Sequence, residues 1–118
     1  MKTLDFPNIN KCIGFYEDPQ LMKTYLVLEH VGDKNLTEFV QDMRTKNNAS
    51  SPVQPLSEAL IRSIMVQLFQ TVDYLHRNKI CHRDLKPDNI LVTYKITSKL
   101  IQVKIIDFNV AIKLQDET

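Results

Sequence analysis

The order of apolar and polar positions predicts strands near both ends of the chain. Residues 11–17 and 24–31 read as two short strands, separated by a turn at 18–20. The second run is apolar or β-branched almost as far as Glu29, which is typical of a strand buried on both faces. Two further strands are expected at 90–93 and 101–108; the latter opens with alternating apolar and polar residues.

Two amphipathic helices are predicted between these strands. The first has apolar residues at helical spacing, and Asn35 followed by Glu38 resembles a capping box at its start. The second can be capped by Ser57 and has a stripe wide enough for a core helix. The apolar residues are Leu36, Phe39, Val40 and Met43 in the first helix, and Leu60, Ile61, Ile64, Met65, Leu68, Phe69, Val72 and Leu75 in the second. Segment 46–55 between the helices is polar, contains two prolines and is expected to be a flexible loop. The order of elements predicts an α+β fold.

Composition limits the classes of function. The 118 residues suffice for one modest domain, and fifteen Lys and Arg against fourteen Asp and Glu provide no charge footprint for nucleic acid or an anionic membrane. No apolar run is long enough to span a membrane, and the first residues do not resemble a signal peptide, so a cytoplasmic or nuclear location is expected. His76, Cys81 and His82 do not match a zinc-binding spacing. Nothing in the sequence indicates an oligomeric state.

The residues that best suit a chemical role lie at 82–89, in the segment HRDLKPDN, and at Asp107 eighteen positions after Asn89. Phosphoryl transfer from a nucleotide requires a carboxylate to accept the proton of the attacking hydroxyl, which Asp84 supplies. It also requires hard oxygen ligands for magnesium, which Asn89 and Asp107 supply. Lys86 provides the cation that the migrating phosphoryl group needs.

This segment resembles the catalytic loop of eukaryotic protein kinases, and residues 107–109 (DFN) resemble the D-F-G motif with its last residue changed. Residues 6–9 (FPNI) are similar to the segment that leads into the small-lobe sheet, and 28–31 (LEHV) to the gatekeeper and hinge. The resemblance runs through the whole chain. Lys86, two residues after Asp84, indicates the serine/threonine type. The long insert between the last two predicted strands, and the residues VKIID at 103–107, resemble those of calcium/calmodulin-dependent kinases.

The resemblance implies a partial kinase-like fold over 1–118: the end of the small lobe and hinge at 1–31, and the start of the large lobe, with two helices, the catalytic loop and a hairpin, at 32–118. It implies ATP and Mg²⁺ as cofactors and a protein with a serine or threonine acceptor as substrate. Asp84, Lys86 and Asn89 would be catalytic, and Asn89 and Asp107 would be the metal ligands. The implied nucleotide-binding residues are Glu29, Val31, Lys86, Asn89, Leu91 and Asp107.

Some of these residues have a second interpretation. Leu91 could be a plain strand residue, and Asn35, which stands where many kinases bind the ribose, could simply cap a helix. For His82 the family suggests packing against Phe108 and not base catalysis.

Parts of the kinase pattern are missing. The two glycines, Gly14 and Gly32, cannot form a glycine-rich phosphate loop. The lysine that contacts the phosphates would precede Phe6, and the A-P-E segment would follow Thr118. We therefore expect an inactive fragment of an active kinase. The alternatives are a truncated or pseudokinase-like binding module and a non-functional gene fragment.

Overall fold

A computed structural model describes residues 4–32, 34–45, 56–95 and 97–115. The predicted loop at 46–55 lies outside these residues. The described elements confirm the α+β class. They are β1 (Cys12–Asp18), β2 (Lys23–Leu28), β3 (Lys34–Asn35), α1 (Leu36–Thr45), α2 (Glu58–Arg77), β4 (Ile80–Cys81), a 3₁₀ turn (Pro87–Asn89), β5 (Ile90–Lys95), β6 (Leu100–Ile105) and β7 (Ile112–Lys113).

Strands β1 and β2 form an antiparallel hairpin whose turn is held by Asp18. Its Oδ1 accepts hydrogen bonds from the backbone amides of Gln20 and Leu21. Strand β2 ends at Leu28, earlier than predicted, and each of its six residues is exposed. The prediction that this strand is buried on both faces is wrong, because β1 is its one strand partner among the described residues and a two-stranded sheet leaves its faces uncovered.

Both predicted helices form, with the predicted caps. At α1 the Oδ1 of Asn35 accepts from the Glu38 amide (2.9 Å), and a longer bond (3.4 Å) runs from the Asn35 amide to the Glu38 carboxylate. At α2 the hydroxyl of Ser57 accepts from the Leu60 amide at 3.2 Å. These bonds satisfy amides that have no partner within the first turn of a helix.

The core lies where α1 and α2 cover the sheet β3-β5-β6. Its buried members are Phe39, Ile64, Ile90, Val92, Ile101 and Val103. The alternation predicted for β6 is confirmed, since Ile101, Val103 and Ile105 are buried and Gln102 is exposed. The wide stripe of α2 is only partly core: Ile61, Met65 and Phe69 are exposed, because no other described element covers that side of the helix. The strand predicted at 101–108 ends at Ile105, where the chain turns towards Asp107.

The edge of β6 that faces away from β5 is hydrogen-bonded by side chains and by the segment at 8–10. Gln67 on α2 accepts from the Val103 amide (3.0 Å) and donates to the Ile101 carbonyl (2.9 Å). The Asn8 amide group donates to the Val103 carbonyl (2.8 Å) and to Gln67 (2.9 Å). Beyond them the Asn8 carbonyl accepts from the Ile105 amide at 2.8 Å. The residues around position 8 are thereby fixed to the strand that leads to Asp107.

Three short strands were not predicted. Strand β3 pairs with β5 (Asn35 opposite Leu91), and β4 pairs with β7 (Cys81 opposite Ile112). Strands of two residues leave no periodic pattern in a sequence. Among the described helices, none is both long and apolar enough to cross a membrane.

Candidate active site

The catalytic-loop segment leaves α2 through β4 and returns to the sheet through the 3₁₀ turn Pro87–Asn89. Pro87 begins this turn, and the amide of Ile90 closes it on the Pro87 carbonyl. Proline suits the first position of a helical turn because its φ is preset and no amide donor is needed there. The turn delivers Asn89 to the start of β5 with only 6% of its surface exposed.

Asn89 holds Asp84 in place. Its side-chain nitrogen donates to the Asp84 carbonyl (2.9 Å) and to the Asp84 carboxylate (3.1 Å). The Nζ of Lys86 lies 3.7 Å from the other carboxylate oxygen of Asp84, and both side chains remain partly exposed. Since the amide nitrogen of Asn89 bonds to Asp84, its amide oxygen is directed away from Asp84.

Asp107 is brought to this loop through its neighbour Ile106. The Ile106 amide donates to the Asn89 carbonyl at 3.0 Å. Asp107 follows with a φ of 61°, in the left-handed region that residues with a Cβ rarely adopt, and its Oδ1 accepts from the Asn109 amide at 3.2 Å. Arg83, with a φ of 70°, is in the same region. Such backbone strain is concentrated at functional sites, where the surrounding bonds must maintain it.

His82 connects the two halves of the site. The residue is 3% exposed, and its Nδ1 accepts from the Asp84 amide at 3.1 Å. Nε2 therefore carries the hydrogen and donates to the Ile106 carbonyl at 2.8 Å. The ring meets Phe108 edge to face, with centroids 4.8 Å apart. With both nitrogens committed, His82 is a structural residue, as expected, and is not placed to act as a base.

Of the predicted nucleotide-binding residues outside the loop, Glu29 has its carboxylate already engaged. That carboxylate accepts from Lys104 on β6 (2.7 Å) and from the Lys11 amide (2.9 Å). The bond from Lys104, followed by the one from Lys11, lowers the pKa of Glu29 and keeps it ionised. Any contact between Glu29 and a nucleotide is therefore left to its backbone. Val31 is half-buried beside it, and Leu91 is half-buried on β5.

Sequence reasoning missed Lys104, which pairs with Glu29 across 75 positions. The only signal was its place in an alternating strand, where it reads as a solvent-facing charge. It also missed the hydrogen bond that Arg83 makes 27 positions along the chain, where its Nε donates to the Val110 carbonyl at 2.6 Å. Contacts this distant along the chain appear only when the strands are assembled.

The donor set at the loop fits a hard divalent cation. Within the part of the chain that the structure describes, no three His, Cys, Asp or Glu residues cluster to form a metal site. Asn89 and Asp107 instead offer an amide oxygen and a carboxylate from two hydrogen-bonded segments. Mg²⁺ is commonly bound by one or two such protein oxygens, with substrate phosphates and water completing the shell. The residues present therefore fit Mg²⁺.

Comparison with known proteins assigns the family. The model of the protein kinase domain matches residues 1–118. The chain is 35% identical over 116 residues to calcium-dependent protein kinase 3 of Plasmodium yoelii yoelii (98% of this chain, 19% of the relative). It is 36% identical over 117 residues to serine/threonine-protein kinase GRIK2 of Arabidopsis thaliana (99% and 25%). It is 33% identical over 116 residues to serine/threonine-protein kinase PrkC of Bacillus subtilis strain 168 (98% and 15%). The chain thus spans 15–25% of the length of these relatives. Two of these three relatives are named serine/threonine-protein kinases. The chain belongs to the protein kinase family.

Proposed function

We propose that the protein containing this chain transfers the terminal phosphoryl group of Mg-ATP to a serine or threonine hydroxyl of a protein substrate. The observation that carries the proposal is the bonded set formed by Asp84, Asn89 and Ile106. It places a partly exposed carboxylate and a nearly buried amide beside the backbone that bears Asp107. Phosphoryl transfer depends mainly on positioning and charge, and these bonds supply the positioning.

Each loop residue has a distinct part in the proposed reaction. The Asp84 carboxylate accepts a hydrogen bond from the substrate hydroxyl, orients it and takes its proton as the oxygen bonds to the γ-phosphorus. The bond between that phosphorus and the bridging oxygen of the β-phosphate breaks, and ADP leaves. Lys86, already 3.7 Å from Asp84, offsets the negative charge that develops on the transferring group. Because Asn89 keeps one oxygen of Asp84 occupied, the carboxylate presents its remaining acceptor positions in a fixed direction.

The cofactor assignments follow from the same residues. Asn89 and Asp107 would hold Mg²⁺, which neutralises phosphate charge when bound. Glu29, through its backbone, with Val31 and Leu91 would contact the nucleotide base. We assign residues 1–31 to the small lobe and hinge and 32–118 to the large lobe, and we propose a cytoplasmic location.

The decisive experiment compares Asp84→Asn with wild type in the full-length protein, using γ-labelled ATP and a generic serine/threonine substrate. General-base roles are worth about 10²–10⁴-fold, so Asp84→Asn should lower kcat by at least about a hundredfold. Asp73→Asn is the matched control, since Asp73 lies on the exposed face of α2, paired with Arg77. It should leave kcat unchanged. Phosphoamino-acid analysis should find labelled serine or threonine.

A binding module without catalysis is the alternative. Asn109, which stands where the family has glycine, is a departure from the family pattern directly after Asp107 and Phe108. Wild-type protein that binds Mg-ATP with micromolar affinity, yet transfers no label to any substrate, would replace the enzyme proposal with this one. Equal activity of wild type and Asp84→Asn would refute the role of Asp84 itself.

A further inference from the structure

A hydrogen bond between two residues 51 positions apart joins helix α1 to the catalytic loop. The Thr37 hydroxyl donates to Oδ1 of Asp88 at 2.6 Å. That length is typical of a hydroxyl bonded to an ionised carboxylate, the stronger class of hydrogen bond. Neither residue has been given a role in the reaction above.

The position of Thr37 is fixed independently of this bond. Thr37 lies in the first turn of α1, which begins directly after β3. There Asn35 pairs with Leu91 of β5 and also caps the helix through Glu38. The hydroxyl of Thr37 therefore projects from a helix end that is tied to the sheet.

Asp88 has less support of its own. It is an exposed residue in the middle of a 3₁₀ turn of only three residues, Pro87–Asn89. Short 3₁₀ turns have poorer hydrogen-bond geometry than α-helices, so they depend more on outside contacts. The bond from Thr37 supplies such a contact and transmits the fixed position of α1 to the turn.

The turn positions Asn89 and Asp84, the pair on which the proposed reaction depends. Asn89 directly follows Asp88, and its side chain holds the Asp84 carboxylate at 3.1 Å. A displacement of Asp88 therefore moves Asn89 and, through it, Asp84. We propose that Thr37 is a positioning residue for phosphoryl transfer: its hydroxyl, acting through Asp88, holds Asn89 and Asp84 in their working arrangement. This inference rests on the proposed function.

The kinetic test uses Thr37→Val, which removes the hydroxyl at nearly constant shape, and Thr37→Ser, which keeps it. In the full-length protein, Thr37→Val should lower kcat about three- to tenfold, with KM for ATP and for peptide within about twofold of wild type, because the lost contact acts through positioning alone. Because Thr37→Ser keeps the hydroxyl, its kcat should stay within about twofold of wild type. The matched control is Thr45→Val on the same helix, where the hydroxyl donates to the Asp42 carbonyl; it should change neither constant.

A second measurement does not depend on activity. The amides of Asn89 and Ile90 close the turn on the carbonyls of Lys86 and Pro87. Their hydrogen exchange should become about three- to tenfold faster in Thr37→Val but stay at the wild-type rate in Thr37→Ser, because the turn opens more often without its outside contact.

Two results would overturn the inference. An unchanged exchange rate in Thr37→Val would show that the turn keeps its place without the hydroxyl. A raised peptide KM with unchanged kcat would show that Thr37 contacts the substrate instead. If wild type shows no Asp84-dependent transfer, the proposed function fails, and the exchange rates still decide whether Thr37 holds the turn.

Discussion

Gln67 is the side chain whose replacement should reveal most about how the site is supported. It lies on α2 beside the outer edge of β6 and acts there as a substitute for a neighbouring strand. One oxygen accepts from the Val103 amide and from Asn8, and its nitrogen donates to the Ile101 carbonyl. Gln67→Leu retains most of the volume but removes these three bonds and a fourth, from the Gln67 nitrogen to the Ser63 carbonyl at 3.1 Å.

The loss of stability in Gln67→Leu can be worked out one hydrogen bond at a time. Val103 has no exposed surface, so its amide would be left buried without a partner, a loss of about 1–3 kcal/mol. Ile101 is nearly buried and its carbonyl would lose a hydrogen-bond donor, whereas Asn8 keeps its bond to the Val103 carbonyl. We expect a total destabilisation of about 2–4 kcal/mol, concentrated at β6.

The assay is residue-resolved hydrogen exchange in the full-length protein. At 1.4 kcal/mol per tenfold, the expected loss corresponds to exchange about 30- to 700-fold faster at the Val103 amide in Gln67→Leu. Gln70→Leu, an exposed change on the same helix, is the control and should leave that amide protected. Val103 exchange in Gln67→Leu within about threefold of wild type would refute the account of Gln67 as a strand substitute.

Three further predictions concern the hinge and the segment after Asp107. Gly32 has a φ of 49°, and a Cβ there would lie 2.6 Å from the Val92 carbonyl oxygen. Gly32→Ala should therefore lower the free energy of unfolding, measured in urea, by about 1–3 kcal/mol. Gly14→Ala, which would meet only a side chain, should cost less; equal losses would contradict the argument. Since folding lowers the pKa of Glu29, its ionised form stabilises the fold above the ordinary carboxyl pKa, and that contribution disappears as the pH falls through the lowered value. Glu29→Gln should therefore lower Tm at pH 7, with the difference from wild type shrinking below about pH 4; a difference independent of pH would be inconsistent with this linkage. Asn109 lies in the turn that the Ala111 amide closes on the Phe108 carbonyl, and its φ is not positive, so its backbone does not require glycine. Asn109→Gly should therefore keep kcat within about threefold, while Asn109→Val, whose β-branched side chain is stiff, should lower it; equal kcat for Asn109→Val and wild type would show that the position has no such constraint.

Local pattern was sufficient wherever the determining contacts lie within a few residues. The capping pair Asn35 and Glu38 and the Ser57 cap were predicted because a cap involves atoms only three residues apart. The buried residues of β6 were predicted because side chains alternate along a strand. The loop at 82–89 was recognised because its chemistry depends on a fixed spacing of Asp84 and Asn89.

The order of apolar residues did not predict burial correctly where burial depends on which other elements pack against a strand or helix. The apolar run of β2 was predicted to be doubly buried and is exposed, and Phe69 of the α2 stripe is 67% exposed, because a sequence states that a face is apolar but not what covers it. Strands of two residues, such as β4, were invisible for lack of any period.

The sequence by itself determined the family, the α+β order of elements and the identity of the residues that could carry phosphoryl transfer. Only the tertiary structure decided which hydrogen bonds hold those residues. Asn89 donates to Asp84, the Ile106 amide donates to the Asn89 carbonyl, and Thr37 donates to Asp88. The physical reason is distance along the chain. A spacing rule acts over one or two turns, whereas the bond between Thr37 and Asp88 spans 51 positions and exists only after α1 and the catalytic loop have packed against the same sheet.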